Sequence, residues 1–205
     1  MVMNIGKRLL CTYLLISFLT VAIFEIFLIG GIHQYYLNSV SSTLQNKAEL
    51  ASRLYNNFLD SGDIYSNSKQ TIDLFAERSF QMQITDKNGN VIADSLGIKE
   101  KRNLDYEDVK IALTGKSSEF KGRQADSEEK IYAYTVPLIS NGMIVGTMRF
   151  TTSLEQTYQV IYKLTLQLLA FGLMLVLTVF IISVFLVRMN VKQIVDKQTA
   201  EINNI

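Results

Sequence analysis

Cysteine, proline and tryptophan are almost missing from this chain: its 205 residues hold one Cys, one Pro, one His and no Trp. The single thiol, Cys11, cannot close an internal disulfide, and no Cys/His set has the spacing of a zinc site or haem attachment. The middle of the chain must be held by its own apolar core. A single proline, Pro137, excludes a Pro-rich linker and suits long helices. A charge surplus is missing too. The 20 basic and 19 acidic residues leave a formal +1, which argues against a nucleic-acid binder. There is no phosphate-cradling glycine loop and no dinucleotide fingerprint. The only histidine, His33, lies beside an apolar block, so the Ser and Asp residues of the middle segment lack an imidazole base. Asp86, Asn88 and Asp94 superficially suggest a calcium loop, but the later bidentate acid is missing and a turn explains them better. No catalytic residue, metal site or cofactor is expected.

What is present is apolar sequence in two blocks. The first runs from Leu9 to Ile32 and the second from Leu164 to Val187, each long enough for a helix to cross the hydrocarbon core. The first is too long for the apolar stretch of a cleaved signal peptide, and Gly30-Gly31-Ile32-His33 is a poor cleavage site. Lys7 and Arg8 precede it, and Arg188, Lys192 and Lys197 follow the second, so the positive-inside rule puts both termini in the cytoplasm. Lys163 is the one discordant charge, and it can snorkel. The expected division is 1–8 cytoplasmic, 9–32 first span, 33–163 extracytoplasmic domain, 164–187 second span and 188–205 cytoplasmic linker. Glu25 lies within the first span. Either it is neutral or reaches the outer headgroups, or it faces another helix in a dimer and sets signal gain.

After the first span, Leu37, Val40, Leu44, Ala48, Ala51, Leu54 and Phe58 recur at helical spacing. This stripe must cover a sheet of its own domain, a second copy of the chain, or both. Leu37, Val40, Leu44, Ala51 and Leu54 are the candidate dimer and signalling positions. Asp60-Ser61-Gly62-Asp63 is expected to stop the helix. The period then changes. Phe80, Met82 and Ile84 alternate with polar residues, Asn88-Gly89 turns the chain, and Val91–Ser95 returns as a strand. Asp105–Leu113 reads as a short helix with Asp105 as N-cap and Asp108 in a capping-box position. The polar run between Gly115 and Lys130 is either a hairpin between strands or a mobile loop, and Phe120 hints at a strand around Ser118–Arg123. Ile131–Leu138 and Met143–Thr152 form a hairpin about Ser140-Asn141-Gly142, and Ser153–Lys163 leads as helix into the second span. The fold class is α+β with an antiparallel sheet and a long N-terminal helix.

The ordered set "ITDKNGNVIADS", "DYEDVKIALTGK" and "IYAYTVPLISNGMIVGTMRFTTSLEQ" between two spans resembles the PAS-like, single Cache-type sensor domain of bacterial sensor histidine kinases, in particular their phosphate- and cell-wall-sensing branch. The resemblance covers about Leu9 to Val195. It implies a homodimeric membrane sensor. Gly146 would fall in the central strand and Arg149 near that strand's output end. Arg188–Ile194 would open a HAMP linker, with Gln193 where the usual proline stands. The phospho-acceptor and ATP-binding domains of that family, and through them a response regulator, would lie beyond Ile205. Tyr132 and Tyr134 share one face of a strand and Arg149 lies on the neighbouring strand. Two phenols and a guanidinium on one face could hold a carboxylate or phosphate. The alternative is that the phenols pack a core or dimer face while Arg149 pairs with an acid. The stimulus is a small molecule or a protein. A chemoreceptor or diguanylate cyclase output, or a stand-alone membrane protein that binds a partner, remain the other readings.

Overall fold

The computed structural model describes residues 5–58, 64–75, 77–97, 103–124 and 128–202, with only the backbone of 5–7, 9, 58 and 190–202. The elements are α1 (Ile5–Phe58), α2 (Ile64–Phe75), β1 (Gln81–Asp86), β2 (Val91–Asp94), α3 (Glu107–Ala112), β3 (Ser118–Arg123), β4 (Lys130–Ser140), β5 (Met143–Ser153) and α4 (Glu155–Ile202). They make two compact units. One joins Met1–Gln34 to Val160–Ile205, and the other is Tyr35–Gln159.

In the first unit the helices are apolar on all sides. Phe24, Ile26, Phe27, Leu173, Met174 and Phe185 are largely exposed. Helix stretches within Leu10–Asn57 and Glu155–Met189 are long and apolar enough to cross a membrane.

The second unit is built on a five-stranded antiparallel sheet in the order β2-β1-β5-β4-β3. The two hairpins follow from local chemistry. Asn141 and Gly142 both have positive φ (51° and 76°), the conformation a two-residue β4–β5 turn needs. In the β1–β2 loop, Asp86 Oδ1 accepts the backbone N–H groups of Asn88 and Asn90, and Gly89 takes φ 80°. These bonds tie the Asp86 carboxylate into the turn.

One sheet face is apolar and carries the core. Met82, Ile84, Tyr132, Val136, Leu138, Met148 and Phe150 pack with Leu44, Ala48, Ala51 and Tyr55 of α1. Leu37 and Val40 pack against the same cluster, so the helical stripe covers the chain's own sheet. Hydrogen bonds run beside the stripe. Ser52 donates to Pro137 O (3.1 Å) and Ile139 N donates to Asn56 Oδ1 (3.0 Å). β3 pairs with β4 only as far as Thr135, so these two bonds and the missing N–H of Pro137 close the rest of that edge. Gly146 admits no side chain, because a Cβ there would collide with Thr85 O of β1 and lie 2.9 Å from Ile64 Cδ1 of α2.

Two expectations need correction. The N-cap of α3 is Tyr106, which makes no side-chain capping bond. Asp105 instead pairs with Lys110 (2.5 Å), and Asp108 turns inward. Helix α2 was not expected. Its buried positions include Ser68 and Thr71 beside Ile72, so its inner face lacks a continuous apolar stripe. The helix stop at Asp60–Asp63 and the linker side chains from Asn190 onward, Gln193 among them, lie outside the described residues.

Candidate functional site

The sheet face turned away from α1 is polar and buried. Thr85, Thr135, Thr147, Arg149 and Thr151 all lie on it with little or no exposure. Alternation produces this arrangement. In β5, Met148 and Phe150 point to the core, so Thr147, Arg149 and Thr151 point the other way. The Thr85 and Thr147 hydroxyls bond each other across β1 and β5 at 2.7 Å. Gln81 and Gln83 both donate to Asp94 Oδ2 at 2.8 Å.

At the centre is an ion pair between sheet and helix. Arg149 Nε donates to Asp108 Oδ2 at 2.8 Å, with side-chain exposures of 3% and 0%. Thr135 Oγ1 donates to the same oxygen at 2.5 Å, and Arg149 Nη1 donates to Thr151 Oγ1 at 3.2 Å. The Tyr106 ring lies 4.3 Å from Arg149 Cζ and the Phe120 ring 5.9 Å, the two rings meeting edge to face. A buried ion pair repays its desolvation only when the remaining polar atoms are bonded as well. Here Asp108 Oδ1 and Arg149 Nη2 are buried without a hydrogen-bond partner among the described residues. Together they offer one acceptor and one donor, under a lid formed by α3 and Tyr106.

The three residues expected to form a sheet-face site do not meet. Tyr132 stands opposite Thr152 and Tyr134 opposite Phe150, whereas Arg149 stands opposite Thr135. The reason is a bulge. Past the two-residue turn Ile139 pairs with Ile144, but Leu138 pairs with Gly146, leaving Val145 as the extra residue. Without that extra residue, Arg149 would face Tyr134. One residue of slip turns it to the opposite face.

Tyr132 instead belongs to the core under α1. Its hydroxyl donates to Glu119 Oε2 at 2.7 Å and lies 2.7 Å from Ser41 Oγ. The phenol has one proton, so Ser41 is the donor in the second bond. Burial pushes the Tyr132 phenol up to about 12. The Ser41 bond opposes that shift, and the Glu119 carboxylate adds to it. Tyr134 is raised as well, first by burial and then by the Glu49 carboxylate, with a Ser117 bond opposing.

Sequence reasoning missed Asp108, Tyr106, Thr135 and Phe120 as neighbours of Arg149. One signal was available: Asp108 shares the inner face of α3 with Val109 and Ala112, at helical spacing. Of the dimer-helix candidates, Leu44 and Ala51 are buried in the domain's core, Leu37 and Val40 pack on it, and Leu54 is half-buried. Glu25 lies against Gly172 of the other apolar helix of its own chain. Among the described residues, no group of three or more His, Cys, Asp or Glu could hold a metal ion.

No family model and no curated protein matches the sequence. Solved structures do. The ligand-binding domain of the Campylobacter jejuni chemoreceptor Tlp3 in complex with L-norvaline aligns at TM-score 0.57 and 14% identity, over 71% of this chain and 63% of that one. The same domain with 4-methylisoleucine aligns at 0.55 and 12%, over 68% and 61%. The sensor domain of the V. cholerae histidine kinase DctB aligns at 0.46 and 16%, over 62% and 55%. This chain therefore spans about three fifths of the length of those chains. The likeness to the Tlp3 domain and the sheet described above give the fold: the central unit has a PAS-like, Cache-like α+β fold and stands in the sequence between two apolar helices.

Proposed function

We propose that this chain is the signal-sensing part of a homodimeric membrane sensor histidine kinase. In this reading the unit Tyr35–Gln159 lies outside the membrane, and the apolar helices cross it with both termini in the cytoplasm. Lys7 and Arg8 before the first span, and Arg188 and Lys192 after the second, support that orientation. The stimulus is a small molecule that offers an anionic oxygen to Arg149 Nη2 and a donor to Asp108 Oδ1. It enters by parting α3 from the sheet. In the solved Tlp3 complexes the ligands are L-norvaline and 4-methylisoleucine, and a small molecule that carries a carboxylate together with an N–H or O–H donor would suit this pair of atoms.

One observation carries the reading. The strand that bears Arg149 is the strand that becomes the second apolar helix: β5 ends at Ser153 and α4 begins at Glu155. Leu154 between them is buried. A ligand that favours one seating of β5 therefore biases α4, and Arg188–Ile194 would pass that bias to a HAMP-type linker and kinase core. A chemoreceptor output is the second reading, because the Tlp3 domain belongs to a chemoreceptor. The kind of output domain that the chain works with discriminates the two.

Titration calorimetry of the whole chain in detergent, against a panel of amino acids, mono- and dicarboxylates and inorganic phosphate, tests the ligand site. At least one panel member is expected to bind the wild type and to lose most of its heat in Arg149→Lys. That variant keeps the charge but not the planar fork. Binding that Arg149→Lys leaves unchanged, or no binding at all, contradicts the site.

A further inference from the structure

Within the apolar unit a carboxyl oxygen is enclosed. Glu25 Oε1 is buried and has no hydrogen-bond partner among the described residues. The carboxyl occupies the space a side chain at position 172 would take, since a Cβ built on Gly172 collides with it. Around this contact a cavity of about 210 Å³ separates α1 from α4, lined on one side by Val21, Phe24 and Leu28 and on the other by Leu168, Phe171 and Leu175. Thr20 also borders it, but its hydroxyl donates to Ile16 O and offers Glu25 no proton. In lipid, apolar side chains gain little by leaving one helix surface for another. Helices therefore register through close packing at small residues and through polar contacts. Leucine and phenylalanine surfaces can slide past one another at little cost, whereas a carboxyl seated where a side chain is missing cannot.

We propose that Glu25 and Gly172 form a key and notch that fixes the register of α4 against α1 within one chain. Glu25 is then a positioning residue for the helix pair, and its partner is the chain's own second apolar helix. This pairing depends neither on a ligand nor on the kind of output domain. It predicts that the fault made by filling the notch is repaired by shortening the key.

The test uses the full chain in lipid vesicles, with Cys11→Ser to remove the native thiol. Oxidative cross-linking is read at two cysteine pairs across the cavity, Leu28→Cys with Leu168→Cys and Val21→Cys with Leu175→Cys. Both pairs are expected to close within one chain. Gly172→Val is expected to lower both cross-links by roughly fivefold or more, as the helices separate or slip. Adding Glu25→Ala is expected to restore them. Gly172→Ala, whose methyl group meets the same carboxyl at the mobile end of its side chain, is expected to give a smaller loss in the same direction where the valine variant fails to insert. Cross-links unchanged by both substitutions overturn the proposal. So does a loss that Glu25→Ala does not repair, or disulfides that form between chains instead.

Discussion

Arg149 and Tyr132 lie on adjacent strands, yet their surroundings impose opposite roles. The guanidinium sits on the polar face and donates to the Asp108 carboxylate and the Thr151 hydroxyl, while the phenol lies in the apolar core and reaches out to Ser41 and Glu119. The phenol makes a direct prediction. Its folded-state value of about 12 stands above the ordinary 10, so folding favours the protonated form. That contribution is fully present below pH 10 and is lost as pH rises through 12. An alkaline absorbance titration of the folded chain should show one of the 10 tyrosines ionising only near pH 12, a component absent from Tyr132→Phe. A wild-type titration complete by about pH 11 would contradict the network. The alternation of Tyr132 and Tyr134 was legible in the sequence. The register that separates Arg149 from the two phenols was not, because the extra residue at Val145 shifts it; Gly146 beside it marks an irregular strand without fixing the direction of the slip.

The long helix α1 shows what periodicity can and cannot decide. Its stripe was readable from spacing alone. What covers the stripe was not, because an apolar face fits a sheet and a second helix equally well. The chain's own sheet takes Leu44, Ala48, Ala51 and Tyr55, so in our proposal a homodimer meets on the other side, at Ser42, Asn46 and Leu50, which are exposed. Cysteine scanning in vesicles, again with Cys11→Ser, should give cross-links between copies at Ser42→Cys, Asn46→Cys or Leu50→Cys and none at Leu44→Cys. Efficient cross-linking at position 44 would mean that α1 leaves its sheet. The shorter helices were harder to read. Asp105 and Asp108 looked like capping residues because acids favour a first turn, but the tertiary pull of Arg149 on Asp108 decides its direction. Helix α2 escaped notice because serine and threonine fill inner positions where its sheet contact admits small groups.

For the whole molecule, the apolar blocks, the two hairpins and the succession of strands along the chain were all present in the sequence, because each rests on local chemistry: length, alternation, or a turn with positive φ. The closed polar face was not, because it requires α3, β3, β4 and β5 to be brought together in three dimensions. The proposal joins that face to the membrane through one strand. If a ligand at Arg149 is the stimulus, its effect must appear both at α3, which it lifts or clamps, and at the start of α4, which carries the signal. The most direct measurement is hydrogen exchange of the full chain in lipid nanodiscs, with and without the small carboxylate, amino acid or phosphate that gives the largest calorimetric heat. Changed exchange is expected in both Glu107–Ala112 and the segment from Ser153 to Gln159, with both changes lost in Arg149→Lys. A change at α3 alone, with the segment entering α4 unaffected, would contradict the proposal.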